Sequence, residues 1–209
     1  EAVRTVQERS EAAHPTGYSA AGTIVEVGEG VTDLRVGDRV ACAGSQSAFH
    51  AEIIRVPRNL CSRVPDGLGL DAAATVTLGA IALQGVRRAN PTLGETFAVI
   101  GLGVLGQLTV QLLKANGCRA IAIDVDPARV ALARSAGADW GLHSEDGSLA
   151  EAVLRHTGGH GADGAIVTAS GSSDAILSLA FGLCRKKARV VLVGDVGMNI
   201  QRADIYEKE

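Results

Sequence analysis

From residue 96 onward the chain alternates between short apolar runs and stretches whose apolar residues recur every three or four positions. The runs "TFAVI" (96–100), "RAIAID" (119–124), "GAIVTA" (164–169) and "ARVVLVG" (188–194) have the length and the Val and Ile content of buried strands. Between and around them lie helical stretches at 104–115, 127–136, 149–156 and 174–183. Strand and helix alternating at this spacing predict a doubly wound parallel sheet with helices on both faces. Five strands are expected, the fourth and fifth ending near 168–171 and 193–197.

The first half of the chain has a different texture. Residues 20–57 carry short β-rich runs, "AGTIVEVG", "GDRVACAG" and "AFHAEIIRVP", separated by Gly and Asp turns. They predict a small, incomplete antiparallel unit. After the turn-rich "VPDGLGL", residues 71–90 read as a helix bridging two domains, with Asp71 as N-cap and "NPTLGE" as terminator. Residues 1–13 read as a polar helix stopped by Pro15. The expected division is therefore 1–90, a partial β domain with its bridging helix, and 91–209, the doubly wound domain.

Chemistry enters at "AVIGLGVLGQLTVQLLKANG", where a GxGxxG pattern joins a strand to a helix. Gly101 is expected to make the tight turn, Gly103 to let the backbone approach a pyrophosphate, and Gly106 to let helix and strand pack closely. The following helix would offer the free N–H groups of Val104 and Leu105 to the phosphates, with Leu105, Leu108 and Leu112 facing the sheet. About 20 residues on, the second strand ends in Asp124, where this fingerprint calls for an acid on the adenosine ribose. A carboxylate there repels a 2′-phosphate, so NAD(H) is expected over NADP(H). Asp126 and Pro127 read as the N-cap and first residue of the next helix. Arg129 covers the adenine, binds a phosphate or is simply solvated. Ala169 and Gly194, at later strand ends, complete the expected cofactor set.

Composition narrows the remaining classes. The net charge is −3 with Lys and Arg scattered, which lacks the basic footprint of a nucleic-acid or anionic-membrane binder. The four cysteines, Cys42, Cys61, Cys118 and Cys184, form no CxxC pair and read as small core residues of a cytoplasmic protein. No apolar run is long enough for a membrane span, and the charged first residues do not form a signal peptide.

The segments "GTIVEVGEGVTDLRVGDRVA", "HAEIIRVPRNLCSRVPDGL" and "FAVIGLGVLGQLTVQLLKANGCRAIAIDVD", in that order, resemble the medium-chain dehydrogenase/reductase superfamily of zinc-type alcohol dehydrogenase-like proteins. The resemblance runs from about Gly17 to Gly197. It implies a GroES-like β domain before a Rossmann domain, with substrate in the cleft between them. Strands before residue 1 and a sixth Rossmann strand after the last residue would be absent. The fifth strand would then carry an unpaired edge, covered by a homodimer partner or by the rest of a longer chain. "TLGAIALQGVRRA" and "GDVGMNIQRADIYEKE" are similar to the bi-domain oxidoreductase subgroup, associated with bacterial surface-polysaccharide or secondary-metabolite gene sets.

Against the zinc enzymes of that family the chain departs at the ligand positions. Their GHE motif falls on Gly17, Tyr18 and Ser19, their cysteine ligand on Thr77, Leu78 and Gly79, and the structural-zinc lobe is missing. No zinc is expected. Hydride transfer without a Lewis acid needs another group to manage charge and protons. Tyr18, His50 at an expected strand start, and Thr77 on the bridging helix are the candidates. Each has a plain structural alternative: a packing tyrosine, a half-exposed histidine, and a threonine bonded back within its helix. His14, His143, His156 and His160 are assigned to turns or helix ends. The expected function is a zinc-independent NAD(H)-dependent oxidoreductase for a small alcohol, carbonyl or sugar-derived substrate. A non-catalytic nucleotide-binding module of a larger polypeptide and an NADPH-dependent quinone or enone reductase are the alternatives.

Overall fold

The computed structural model describes residues 16–145, 147–206 and 208. The helix expected at 1–13, with Pro15 and His14, lies outside them. The chain forms two compact units, one ending at Leu78 and the other beginning at Gly79.

The first unit is built on an antiparallel sheet of β1 (Ser19–Thr23), β2 (Arg39–Ala43) and β3 (Cys61–Arg63), in that order. Side chains of β2 alternate between two cores, as a strand requires. Val40 and Cys42 pack with Leu34 and Ala48, while Ala41 packs with Val64 and Ala73. Two expectations change here. The run "AGTIVEVG" leaves the ladder after Thr23, although Ile24 still donates to Asp38 O at 2.9 Å and accepts from Gly37 N at 2.9 Å. "AFHAEIIRVP" forms no strand at all. Both edges of β2 are already occupied, by β1 and β3, so this segment has no edge of β2 left to pair with. Ile54 and Val56 nevertheless pack against the Leu34 core, which explains their apolar pattern.

The expected 71–90 helix forms in two pieces, α1 (Leu70–Ala73) and α2 (Val76–Ala89). Gly69 occupies the N-cap of α1 and Asp71 lies inside its first turn, so Asp71 is not the cap. Asn90, in the left-handed region at φ 45°, ends α2. The buried residues of α2 are Ala82, Gly85, Val86 and Ala89, and the last two join the core around Phe97 and Val99. Its second half therefore belongs to the second unit, and the division falls within the helix.

That unit is a parallel sheet of β4 (Thr96–Ile100), β5 (Arg119–Asp124), β6 (Trp140–His143), β7 (Ala162–Val167) and β8 (Cys184–Leu192), ordered β6-β5-β4-β7-β8. Its helices are α3 (Val104–Ala115), α4 (Pro127–Ser135), α5 (Leu149–His156), α6 (Ala175–Leu183) and α7 (Arg202–Tyr206). Separate apolar cores form around Val99, Val110 and Leu113 and around Ile121, Val153 and Val167. The strand order reverses beside β4, which creates the crevice where doubly wound folds bind ligands. "WGLH", the third strand, is too short and too polar to stand out as a run.

On α3 the buried face consists of Gly106, Thr109, Val110 and Leu113, whereas Leu105, Leu108 and Leu112 are half-buried. The close approach at Gly106, rather than the three leucines, sets the rotation of this helix. The outer edge of β8 is partly engaged, because Lys187 N donates to Lys208 O at 2.7 Å.

Asp139 fastens this unit together. Its Oδ2 accepts from Lys114 Nζ at 2.7 Å and from Ala120 N at 2.8 Å, joining α3 to the start of β5. Burial pushes its carboxyl up, but the Lys114 ammonium and the Ala120 N–H together outweigh burial and hold it below its ordinary value. A carboxyl depressed in the folded state stabilises above its unfolded value, and that stabilisation is lost as pH falls through the folded value. Asp139→Asn should thus cost about 1–2 kcal/mol at pH 7 and progressively less in acid, read as thermal midpoints across a pH series.

Candidate functional site

At the carboxyl end of β4 the backbone is crowded at three points and open at one. Gly101 has φ 93°, and a Cβ there would lie 2.5 Å from Ala169 N. A Cβ on Gly106 would lie 1.9 Å from Gly101 O, and one on Gly194 would lie 1.9 Å from Ala169 O. On Gly103, by contrast, a Cβ would meet nothing within 4 Å. The turn packs tightly against β7 and β8 on one side and faces free space at its second glycine. Thr168, buried at the end of β7, locks the turn by donating its hydroxyl to Gly101 O at 2.5 Å.

The N-terminus of α3 opens on the same turn. Gly103 is its N-cap and no side chain caps it. The first N–H groups of an α-helix lack intrahelical partners, so Val104 and Leu105 present donors and a positive dipole end there. Val104 is 60% exposed and Leu105 half-buried.

Asp124 ends β5 beside this turn and is 6% exposed. Its Oδ2 accepts from Leu102 N at 2.5 Å and its Oδ1 from Asp126 N at 2.9 Å. The carboxylate thus clamps the glycine turn, and with about four acceptor positions in all it keeps capacity for further donors. Asp126 caps α4 by accepting from Ala128 N at 2.9 Å, with Pro127 as first residue. Arg129 is exposed and pairs with Asp126 at 3.4 Å. Gln107, which the sequence pattern did not single out, donates to Leu102 O at 3.0 Å and to Arg129 O at 2.9 Å, tying the turn to α4. Its buried Oε1 has no partner among the described residues. The only signal in the sequence is a polar side chain directly after the third glycine.

Gly101, Gly103, Val104, Leu105, Gly106, Ala169 and Gly194 come together at one end of the sheet, with Asp124 beside them and Arg129 linked through Gln107. An uncapped helix end over open space at Gly103 fits a dinucleotide pyrophosphate. A cavity of about 450 Å³ near Arg119, His160 and Arg185 lies at the opposite, amino-terminal ends of the strands, away from this crevice.

In the first unit, Tyr18, His50 and Thr77 are grouped around residues 17–19. His50 does not start a strand; it lies in a bend, where its N–H donates to Thr16 O at 2.8 Å. Its ring packs so closely on Gly17 that a Cβ there would lie 2.3 Å from it. Tyr18 is 42% exposed, and its hydroxyl has no hydrogen bond among the described residues. Ser19, at the third position of the GHE comparison but given no role by it, donates from Oγ to Ala74 O at 2.5 Å and accepts from Thr77 N at 3.2 Å. The Thr77 hydroxyl is buried without a partner among the described residues, so it does not bond back within its helix.

His143 and His156 have structural settings. His143 ends β6 rather than lying on a turn, and bonds Val125 O at 2.7 Å. His156, the last residue of α5, stacks on Trp140 at 4.7 Å; burial, then Arg155 and Arg134, hold its pKa below the ordinary value. No group of three or more His, Cys, Asp or Glu side chains that could hold a metal exists among the described residues. The donors around residues 17–19 and 77–79 do not fit a tetrahedral zinc centre.

Comparison with known proteins agrees with both units. Residues 2–82 match the family model for the alcohol dehydrogenase GroES-like domain, and residues 104–208 the model for zinc-binding dehydrogenase. The chain belongs to the medium-chain dehydrogenase/reductase superfamily. Its first unit is the GroES-like part and its second the Rossmann part. D-guloside 3-dehydrogenase of Shigella flexneri is 36% identical over 170 residues, which cover 80% of this chain and 47% of that protein. An alcohol dehydrogenase of Geobacillus stearothermophilus is 30% identical over 206 residues, covering 85% and 60%. A mycobacterial protein solved in complex with NADPH superposes with a TM-score of 0.79 at 25% identity, covering 91% of this chain and 60% of its own. The chain thus spans about half the length of the sugar dehydrogenase and somewhat more of the other two.

Proposed function

We propose that this chain is the cofactor-binding portion of a zinc-independent, NAD(H)-dependent oxidoreductase of the cytoplasm, acting on a small alcohol, carbonyl or sugar-derived substrate. The observation that carries the reading is the open space at Gly103 within a turn otherwise crowded by Ala169, Thr168 and Gly101. When bound, a nicotinamide cofactor takes up or releases the hydride. The N–H groups at the start of α3 hold its phosphates, and the free acceptor positions of Asp124 take the ribose hydroxyls and repel a 2′-phosphate. The backbone at Ala169 and Gly194 lines the nicotinamide end.

Loss of a hydride from a carbinol carbon must be matched by loss of the hydroxyl proton. In this zinc-independent reading that proton goes to a side chain, and Tyr18, His50 and the Thr77 hydroxyl, unpartnered among the described residues, are the candidates in the first unit. Relatives that oxidise a guloside and alcohols support the substrate class. The outer edge of β8 is the surface we assign to a homodimer partner or to the remainder of a longer chain.

NADPH-dependent reduction of a quinone or enone is the second reading, favoured by the NADPH-bound mycobacterial neighbour and by Arg129 standing exposed on the first turn of α4. Calorimetric titration with NADH and NADPH, with metal analysis of the purified protein, decides between them. Tighter NADH binding without stoichiometric zinc is expected. Tighter NADPH binding favours the second reading, and binding of neither removes the cofactor from both.

Gly103→Ala separates the cradle from the fold. Its Cβ meets no protein atom, so the thermal midpoint should stay in place. NADH affinity should fall about tenfold or more as the methyl group enters the phosphate space.

A further inference from the structure

Cys42 and Cys61 are far apart in sequence but face each other across β2 and β3, with Sγ atoms 3.8 Å apart. Their position in the ladder makes the contact informative. Val64 N donates to Arg39 O at 2.9 Å, which marks 39 and 64 as a hydrogen-bonded pair. Opposed pairs of an antiparallel ladder alternate, so 40 with 63 is non-bonded, 41 with 62 bonded, and 42 with 61 non-bonded. Non-bonded pairs bring Cα atoms to about 4.5 Å with side chains close. That spacing lies inside the range a disulfide spans, about 4.4–6.8 Å.

The two thiols differ in access. Cys42 is buried at 5% exposure, and burial followed by the neighbouring Cys61 sulfur pushes its pKa up to about 12. Cys61 is half-buried at the start of an edge strand, with its Sγ 3.5 Å from Pro57 O. An oxidant therefore reaches Cys61 first.

We propose that Cys42 and Cys61 form an oxidisable dithiol that a hydroperoxide closes into a disulfide, stapling β3 to β2. The Cys61 thiolate attacks one oxygen of hydrogen peroxide, the O–O bond breaks, and the expelled hydroxide takes up the proton that had left the Cys61 thiol, so that Cys61 becomes a sulfenic acid and the first water leaves. The Cys42 sulfur then attacks the Cys61 sulfur, forming the S–S bond. Its proton and the displaced hydroxide leave as the second water. The two sulfurs together lose two electrons and the peroxide gains them. Rotation of two side chains suffices, because the backbone spacing is already set. The bond closes the loop of residues 43–60 onto a strand of only three residues, which limits opening of that edge.

The test is treatment of the reduced protein with hydrogen peroxide, then alkylation under denaturing conditions and peptide mapping. Two of the four thiols should disappear, in a single Cys42–Cys61 cross-link that dithiothreitol reverses. Cys118 and Cys184 should remain alkylatable. In Cys61→Ser no internal disulfide should form, and Cys42 should stay reduced. Four thiols surviving, Cys61 accumulating as sulfinic acid without a cross-link, or a cross-link through Cys118 or Cys184 would each overturn the proposal. The mapping is done on the unaltered chain, so its outcome does not depend on whether a variant folds.

Discussion

Gly106→Ala should destabilise the second unit by about 2 kcal/mol and weaken NADH binding by about 100-fold. The added Cβ would lie 1.9 Å from Gly101 O, a backbone atom that cannot rotate away. Either α3 must move off β4 or the glycine turn must change path. Overpacking of this kind costs about 1–3 kcal/mol and occasionally more. Alanine recovers at most about 1 kcal/mol of helix propensity over glycine, and less in the first turn, so the steric term wins. Displacement of the turn also moves the N–H groups of Val104 and Leu105 from the phosphate space, which is why affinity should fall further than stability. Urea unfolding measures the first effect and calorimetry the second. A variant as stable as the parent would show that the helix yields freely at this contact and that Gly106 does not fix the turn.

Much of the second unit was legible because its signals are local. The bounds of α3 and α5, the capping of α4 by Asp126 and the glycine turn each follow from residues within a few positions of one another. What local pattern could not provide was anything set by register or by packing between segments. The run at 48–57 has the composition of a strand, but both edges of β2 were taken. Leu105, Leu108 and Leu112 share a helical face, yet the buried face was set by a backbone contact at Gly106. Cys42 and Cys61 meet only because β2 and β3 pair in one register. Among the candidate site residues, the glycines and Asp124 stood out by spacing. Gln107 and Ser19 did not, because each acts through partners on another element, from Gln107 to Arg129 and from Ser19 to Ala74.

Asp124→Ser should have the largest effect on cofactor choice. Two roles meet in this carboxylate. It accepts the backbone N–H groups of Leu102 and Asp126, and the proposed function gives it the ribose hydroxyls as well. Hydrogen bonds to a charged acceptor contribute about 1.5–3 kcal/mol each, and the shorter serine cannot reach both N–H groups. The variant should therefore lose about 2–3 kcal/mol of stability and bind NADH about 10- to 100-fold more weakly, while the ratio of NADPH to NADH affinity rises. Asp124→Asn separates the roles. It keeps the size and one acceptor oxygen, so most of the turn's anchoring should return, but it removes the charge that opposes a 2′-phosphate. If the cofactor ratio shifts in both variants, Asp124 reads the sugar. If stability falls in the serine variant while the ratio holds in both, the acid serves the turn alone and does not choose between NAD(H) and NADP(H), and Arg129 is the first residue to exchange in search of one that does.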